Sequence, residues 1–213
     1  MAPDAPRRPY DASRRQEAAR RNRAAVLAAC RELLFAEGYR AATVRAVAER
    51  AGVSPETVYK SFGGKSGLVK ALWDTTLAGD DEPVAMAERP QLRAVWEARD
   101  PAVKLRRYAG FVRGVHERLA PLFGLLVQAG PEVAEVLALS ERERLTGVTA
   151  FVGHLADAGV LPPGGDPARL ADACWALTGP QLFTQLTAGR GWSADAYQEW
   201  LAGLLAAALL GAP

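Results

Sequence analysis

The stretch ATVRAVAERAGVSPETVYKSF, residues 42–62, decides how the chain folds. Its apolar residues from Val44 to Ala48 recur with the spacing of one helix face, and Gly52 follows them as a helix end. Ser54 then stands where a side-chain cap begins a helix, with Pro55 at the first helical position, where a missing N–H costs nothing. The stretch therefore predicts two short helices joined by a tight glycine turn.

This arrangement has the dimensions of a helix-turn-helix, in which the second helix enters the major groove of DNA. Val58 lies one turn beyond the cap and is expected to face the core. Thr57, Tyr59 and Lys60 offer a hydroxyl, a phenol and a cation within two turns. The N-terminal amides of the second helix suit a phosphate, and Lys65, after two glycines, is placed to approach another. We therefore expect binding to double-stranded DNA.

Helical spacing continues along the rest of the chain, and no segment shows convincing strand alternation, so the predicted fold class is all-α. The first helix is expected to end at Gly38. Later helices are expected to start at Lys65, Pro101, Pro131, Asp166-Pro167 and Ser193. The polar, arginine-rich residues 1–22 are interpreted as a mobile, irregular arm, for which phosphate contact and a solvated tail are equally open.

Composition bounds the class of protein. With 213 residues, 49% of them apolar, the chain can bury cores without disulfides, and Cys30 and Cys174 are too far apart in sequence for a CxxC metal cluster. No apolar segment of a signal peptide follows the N-terminus. The longest uncharged apolar stretch, residues 200–213, is shorter than the ~18 residues that cross a bilayer, so we expect a cytoplasmic protein with no membrane partner.

Charge is unevenly distributed along the chain. Residues 1–70 contain 14 Lys and Arg against 7 Asp and Glu, whereas residues 71–213 contain 12 against 17. A basic front joined to an acidic body indicates an anion-binding module attached to a body with another task. A chance excess of solvated arginines explains the charge alone equally well.

The order of motifs over residues 23–70 resembles the DNA-binding domain of TetR/AcrR-type transcriptional regulators. The segments that carry the resemblance are LLFAEGY (33–39), ATVRAVA (42–48), AGVS (51–54), TVYKSF (57–62), and Lys65 with Leu68. The resemblance implies three regions: the arm (1–22), a three-helix DNA-binding domain (23–70), and a helical ligand-binding and dimerisation domain (71–213).

The resemblance also implies roles for individual residues. Thr43 and Tyr59 would touch phosphates, and Lys65 would anchor the DNA backbone. Others would lie at or near the groove: Arg45, Ser54, Pro55, Thr57 and Lys60. The chain departs from the family at Gly67, where an acidic residue is more usual, which weakens an interaction at the start of the fourth helix.

The last helix presents a wide apolar face that a second chain could cover, and dimers are usual in the family. The predicted dimer residues are Trp200, Leu201, Leu204, Leu205 and Ala208. Burial of this face within one chain is the alternative.

An effector cavity in the body is expected to combine aromatic walls with a few polar groups. The candidate residues are Tyr108, Phe111, Phe123, Gln128, Phe151, Cys174, Trp175 and Phe183. Ordinary core packing is the alternative for each of them. His116 and His154 have no metal-ligand pattern around them and are interpreted as half-exposed helix residues, so no metal or cofactor is expected.

These features predict a homodimeric regulator, a repressor in the first instance, that binds a palindromic operator and is released by a small-molecule effector. An activator or a ligand-blind DNA-binding protein would share the same residues. A helical enzyme or ligand carrier is disfavoured, because neither a nucleophile elbow, nor a phosphate-binding glycine loop, nor paired catalytic carboxylates can be found in the sequence.

Overall fold

The computed structural model describes residues 10–211, and this part of the chain is helical, with no strand in it. The all-α prediction is therefore confirmed. The helices are α1 (Tyr10–Glu37), α2 (Val44–Ala51), α3 (Pro55–Phe62), α4 (Lys65–Ala78), α5 (Pro90–Glu97), α6 (Pro101–Ala129), α7 (Ala134–Asp157), α8 (Pro167–Leu177), α9 (Pro180–Arg190) and α10 (Ala194–Leu210). Short 3-10 turns occupy Met86–Glu88 and Gly130–Val133.

Side-chain caps explain where several of these helices begin. In each case an oxygen of the capping residue accepts a hydrogen bond from a backbone N–H of the first turn, which would otherwise lack a partner. The capping residues are Thr43, Ser54, Asp100, Asp166 and Ser193.

The chain divides into two compact units between Leu72 and Trp73. In the first unit, α2 packs against α1 and α3. Its core is apolar and consists mainly of Val26, Leu27, Cys30, Leu33, Leu34, Val44, Val47, Val58, Leu68 and Val69.

In the second unit, which we call the body, α6 packs against α5, α9 and α10, and α7 packs against α8. The helix α6 runs through Pro121 without ending there. Fully or almost fully buried side chains from five helices form the core: Leu105, Tyr108, Val112, Phe151, Leu155, Cys174, Phe183, Tyr197, Leu201, Leu205 and Leu209.

The prediction of an irregular arm over residues 1–22 is wrong from Tyr10 onward, because α1 begins there. Residues 11–22 are rich in Ala and Arg and also contain one Gln and one Glu, and all of these residue types favour helix. The guanidinium of Arg23 also lies over the Phe62 ring at 5.0 Å, and so ties α1 to the end of α3. Residues 1–9 of the predicted arm lie outside the described residues.

The sequence pattern also missed α5. It follows a segment rich in Gly, Asp and Pro, and only its buried Leu92 and Val95 mark a helix face, which is too little for periodicity to show. The helix expected from Pro131 starts three residues later, after the 3-10 turn, and ends at Asp157.

One helical run, Pro101–Asp157, contains a window that is long and apolar enough to cross a membrane. Length and composition alone are weak evidence for a membrane span, because the core helix of a soluble protein passes the same test.

Candidate nucleic-acid interface

The turn between α2 and α3 depends on a glycine. Gly52 has φ +68°, a left-handed conformation that residues with a Cβ rarely adopt. Its N–H donates to carbonyls of the last turn of α2, and the N–H of Val53 donates to the Ala48 carbonyl at 3.0 Å. These bonds end α2 sharply and let α3 begin at Pro55, three residues after Gly52.

The start of α3 uses the polar groups that sequence analysis assigned to DNA. The Ser54 hydroxyl accepts from the Thr57 N–H at 3.3 Å, and the two hydroxyl oxygens lie 3.2 Å apart. The N-terminal amides are therefore partly used within the protein, and Ser54 acts as the cap of the helix.

Glu56 is a charged residue of α3 that sequence analysis overlooked. Its own backbone N–H, and then the Ser54 hydroxyl, lower the pKa of its exposed carboxyl group. The carboxylate consequently stays ionised at the beginning of this helix, where it opposes a phosphate and can accept from the amino group of a cytosine. The sequence does contain a signal for this residue, because a Glu in the first turn of a helix interacts favourably with the positive end of the helix dipole.

Val58 holds α3 to the core of the first unit and leaves its other side exposed. The Val58 side chain is 0% exposed, whereas Tyr59 is 56% exposed. Glu56 and Lys60, two residues to either side of Val58, are also exposed, as helical geometry requires of the opposite face.

The remaining groove candidates differ in exposure. Thr43 and Arg45 are exposed at the start of α2, and Pro55 and Thr57 are half-buried. The Thr43 hydroxyl accepts from the Ala46 N–H at 3.1 Å, so it caps α2 as well as facing solvent.

Lys65 has a structural partner that sequence analysis did not foresee. Its ammonium donates to the Tyr39 carbonyl and lies 3.8 Å from the centre of the Tyr39 ring. The side chain thereby ties the start of α4 to the loop after α1. At least one of its three N–H donors is thus used inside the first unit.

Gly67, the departure from the family pattern, is required by the backbone of this chain. A Cβ placed there would lie 1.9 Å from the Phe62 carbonyl oxygen. The end of α3 and the start of α4 therefore approach too closely for any side chain at this position.

The two cysteines are buried and structural. Burial raises the pKa of the Cys30 and Cys174 thiols to about 12, so both stay protonated and unreactive. No group of three or more His, Cys, Asp or Glu residues suited to a metal occurs among residues 10–211.

In the body, most of the predicted effector residues come together. Tyr108 stacks on Phe151 with ring centres 3.8 Å apart and on Phe111 at 6.1 Å, while Cys174 and Phe183 are buried in the same core, with Trp175 packed against it. Two residues lie elsewhere. Phe123 packs against Trp73 at 6.4 Å, and Gln128 is exposed near the end of α6.

A set of polar side chains lies inside this aromatic core, and we call it the inner polar cluster: His116, Arg144, Trp175, Thr178 and Tyr197. The interpretation of His116 as half-exposed is wrong, since it is 4% exposed. Its Nε2 lies 3.0 Å from the Thr178 carbonyl, and burial lowers its pKa to about 4. Arg144 donates to the Trp175 carbonyl at 2.7 Å and stacks on the Trp175 ring at 4.7 Å.

No motif in the sequence marks this cluster, because its members lie on α6, α7, α8 and α10 and at Thr178, which follows α8. His154 is half-buried as predicted, but it also has a buried partner. The ammonium of Lys104, which is 3% exposed, lies 2.9 Å from His154 Nε2 and donates to the carbonyls of Val95 and Trp96. Lys104 thus joins the end of α5 to α6 and α7.

The predicted dimer face is partly used within the chain. Leu201 and Leu205 are 0% exposed in the body core, so their side chains are unavailable to a second chain. Helix α10 presents these two residues to α6 and α8. Trp200, Leu204 and Ala208 keep partly exposed surface.

Residues 26–72, which include α2, α3 and their turn, match the family described as bacterial regulatory proteins, tetR family. YvkB of Bacillus subtilis, an uncharacterized HTH-type transcriptional regulator, is 47% identical over 47 residues, which are 22% of this chain and 25% of that protein. The HTH-type transcriptional regulatory protein RaaS of Mycobacterium tuberculosis is 30% identical over 136 residues, 64% of this chain and 58% of that protein. Residues 26–72 of this chain therefore belong to the tetR family of bacterial regulatory proteins.

Both curated relatives are named as HTH-type transcriptional regulators, which agrees with the prediction that this chain is not an enzyme. Its matches span less than two thirds of the length of either curated relative. The crystal structure of NalD, the secondary repressor of the MexAB-OprM multidrug efflux pump in Pseudomonas aeruginosa, has a TM-score of 0.65. At 21% identity over 91% of this chain and 98% of NalD, it shows that the helical fold extends over the body as well.

Proposed function

We propose that this TetR-family protein is a cytoplasmic repressor that binds a palindromic operator as a homodimer and releases it when a small molecule occupies the body. The observation that carries the proposal is the construction of α3. Val58 is fully buried, while Glu56, Tyr59 and Lys60 remain exposed on a capped, rigid helix. Such a helix fits the major groove and presents groups that hydrogen-bond to bases and phosphates.

Charge supports binding to DNA through this unit. The excess of Lys and Arg lies in residues 1–70, while the rest of the chain has an excess of acidic residues. A polyanion therefore attracts the first unit and repels the body, which favours a single orientation on the duplex.

Dimerisation is proposed through α9 and α10. Trp200, Leu204 and Ala208 leave partly exposed apolar surface on α10. Trp192, which contacts Trp200 edge to face with ring centres 6.0 Å apart, is 37% exposed beside them. A second copy would cover this surface and set the two recognition helices at a spacing near one DNA turn, ~34 Å. Regulation follows if the effector binds one spacing more tightly than another.

The repressor role is supported by the shared fold with NalD, whose described role is repression. The aromatic core of the body, with Tyr108, Phe111 and Phe151 in one stack, supplies the apolar environment that a small effector needs.

Selection of random duplex DNA by the purified full-length chain tests the proposal. We expect enrichment of an inverted repeat with half-site centres about ten base pairs apart, or a multiple of that distance. A matched selection with Tyr59→Ala and Lys60→Ala combined is expected to enrich nothing. Enrichment of a single half-site would contradict the dimer, and no enrichment at low salt would contradict DNA binding itself.

A further inference from the structure

The inner polar cluster contains hydrogen-bonding atoms that the protein leaves unused. His116 Nδ1, Trp175 Nε1 and the Tyr197 hydroxyl are buried and have no hydrogen-bond partner within the described part of the chain. Buried polar atoms without partners are costly, so native proteins keep them where water or a ligand completes the bonds.

The three groups belong to side chains that share neighbours in the body. The Phe183 ring lies 5.7 Å from the ring of His116 and 5.0 Å from that of Tyr197. Arg144 stacks on Trp175 at 4.7 Å, and its charge acts on the titration of both His116 and Tyr197. The unpaired atoms therefore belong to one cluster with aromatic neighbours.

We propose that the effector is a neutral, largely apolar molecule with one hydrogen-bond donor and one acceptor, held by His116, Trp175 and Tyr197. This inference rests on the ligand response proposed above and names the class of molecule that produces it.

The need for both a donor and an acceptor follows from the hydrogen bonds already made. A carbonyl only accepts, so His116 Nε2, at 3.0 Å from the Thr178 carbonyl, carries the proton. Nδ1 of the neutral ring then accepts, and a hydroxyl of the ligand suits it. The indole N–H of Trp175 only donates, and a ketone or ether oxygen suits it, while the Tyr197 hydroxyl can do either.

The ligand is expected to be neutral because Arg144 already forms an ion pair with Glu141. Its Nη2 and Nε lie 2.6 Å and 3.1 Å from the same carboxylate oxygen of Glu141, so its charge is already balanced. His116 stays neutral near pH 7, because burial lowers its pKa to about 4. A carboxylate ligand would lose its hydration in this core without gaining an unbalanced positive charge.

The probes that test this inference are a graded panel of acyloins, from butyroin to benzoin, which carry one hydroxyl next to one ketone. Each is paired with the ketone that lacks the hydroxyl and with the 2-hydroxy acid of similar size. Binding to the full-length protein is measured by isothermal titration calorimetry at pH 7.5.

We expect at least one acyloin to bind, with its deoxy ketone and its acid each binding at least tenfold more weakly. Trp175→Phe and Tyr197→Phe should each weaken acyloin binding about tenfold. Trp73→Phe, at an indole that packs on Phe123 outside the inner polar cluster, should not change it. Glu141→Gln leaves the charge of Arg144 unbalanced and should reverse the preference toward the acid. If Tyr197→Phe fails to fold, Trp175→Phe is the test. The Trp175 side chain is only partly buried, so its replacement should disturb folding less.

Three results would overturn the inference: tighter binding of the acids to the wild-type protein, no binding by any panel member, or binding that is unchanged in Trp175→Phe. The same preparations are tested on the selected operator. Failure of acyloin binding with intact operator binding overturns only the effector class, whereas failure of operator binding overturns the proposed regulator.

Discussion

The two compact units differ in where their polar side chains lie and in whether those side chains have hydrogen-bond partners. In the first unit, the hydroxyls of Thr43 and Ser54 cap helices, and Tyr59 and Lys60 stay outside, while the core is apolar. In the body, His116 and Tyr197 are buried with unpaired atoms. The named polar groups of the first unit are therefore bonded or exposed, whereas the body buries polar atoms that have no hydrogen-bond partner among the described residues. Substitutions should separate the two.

The largest expected effect comes from placing a charge in the first core. Val58→Asp buries an unpaired carboxylate where the native side chain is 0% exposed, and it should lower the stability of this unit by about 4 kcal/mol. Chemical unfolding followed by circular dichroism measures the loss, and operator binding should disappear with it. Ser61→Asp, at an exposed site of the same helix, is the control. Equal unfolding midpoints for the two variants would contradict the inward placement of Val58.

The next effect belongs to the body and depends on pH. His116 has a folded pKa of about 4 against an ordinary value of 6.5, because burial penalises the charged ring. The unfolded chain therefore binds more protons between these values, and stability that is complete above pH 6.5 falls as the pH drops toward 4. The size is on the order of 3 kcal/mol.

Unfolding free energies at pH 7 and pH 4.5 measure this dependence. His116→Asn cannot titrate in this range and should lose that part of the slope, whereas His154→Asn should keep it. Since ordinary carboxylates also titrate near pH 4, the difference between variants is what counts. An unchanged slope in His116→Asn would show that the ring is not kept neutral by burial.

The same contrast between units explains what the sequence could predict. The helix-turn-helix depends on contacts between residues that are close in sequence, such as the cap from Ser54 to Thr57 and the turn at Gly52. A short stretch of sequence therefore contains the whole pattern. These signals predicted the bounds of α2 and α3 closely. The requirement for Gly67 could not be predicted, because it depends on where the Phe62 carbonyl lies in space.

In the body, the decisive contacts join residues that are far apart in sequence. The hydrogen bond from His116 to the Thr178 carbonyl spans 62 residues, and that from Lys104 to His154 spans 50. Periodicity shows that a residue lies on a helix face, but it cannot show which faces meet. For this reason the sequence pattern grouped Gln128, which is exposed, with the core aromatics, and it predicted that the buried His116 is half-exposed.

A smaller effect tests the capping of α3. Ser54→Ala removes the oxygen that accepts from the Thr57 N–H and should cost about 1 kcal/mol of stability in the first unit. Denaturant unfolding measures the change, with Ser61→Ala, at an exposed position inside the same helix, as the matched control. Ser54→Asp should restore most of the loss, because a carboxylate can also cap. If Ser54→Ala were as stable as Ser61→Ala, the hydroxyl would have a role other than capping.

The smallest effect concerns charge on the exposed face of α3. Lys60→Ala removes one cation and should reduce the salt dependence of operator binding by about one unit of slope, with similar losses of affinity on every DNA sequence.

Thr57→Ala should instead alter base preference at one position of each half-site. Glu56→Gln should strengthen binding to unrelated DNA, because the native carboxylate stays ionised and repels phosphates. Fluorescence anisotropy over a salt series measures all three. If Glu56→Gln weakened binding to the operator but not to unrelated DNA, the carboxylate would be reading a base rather than repelling the backbone.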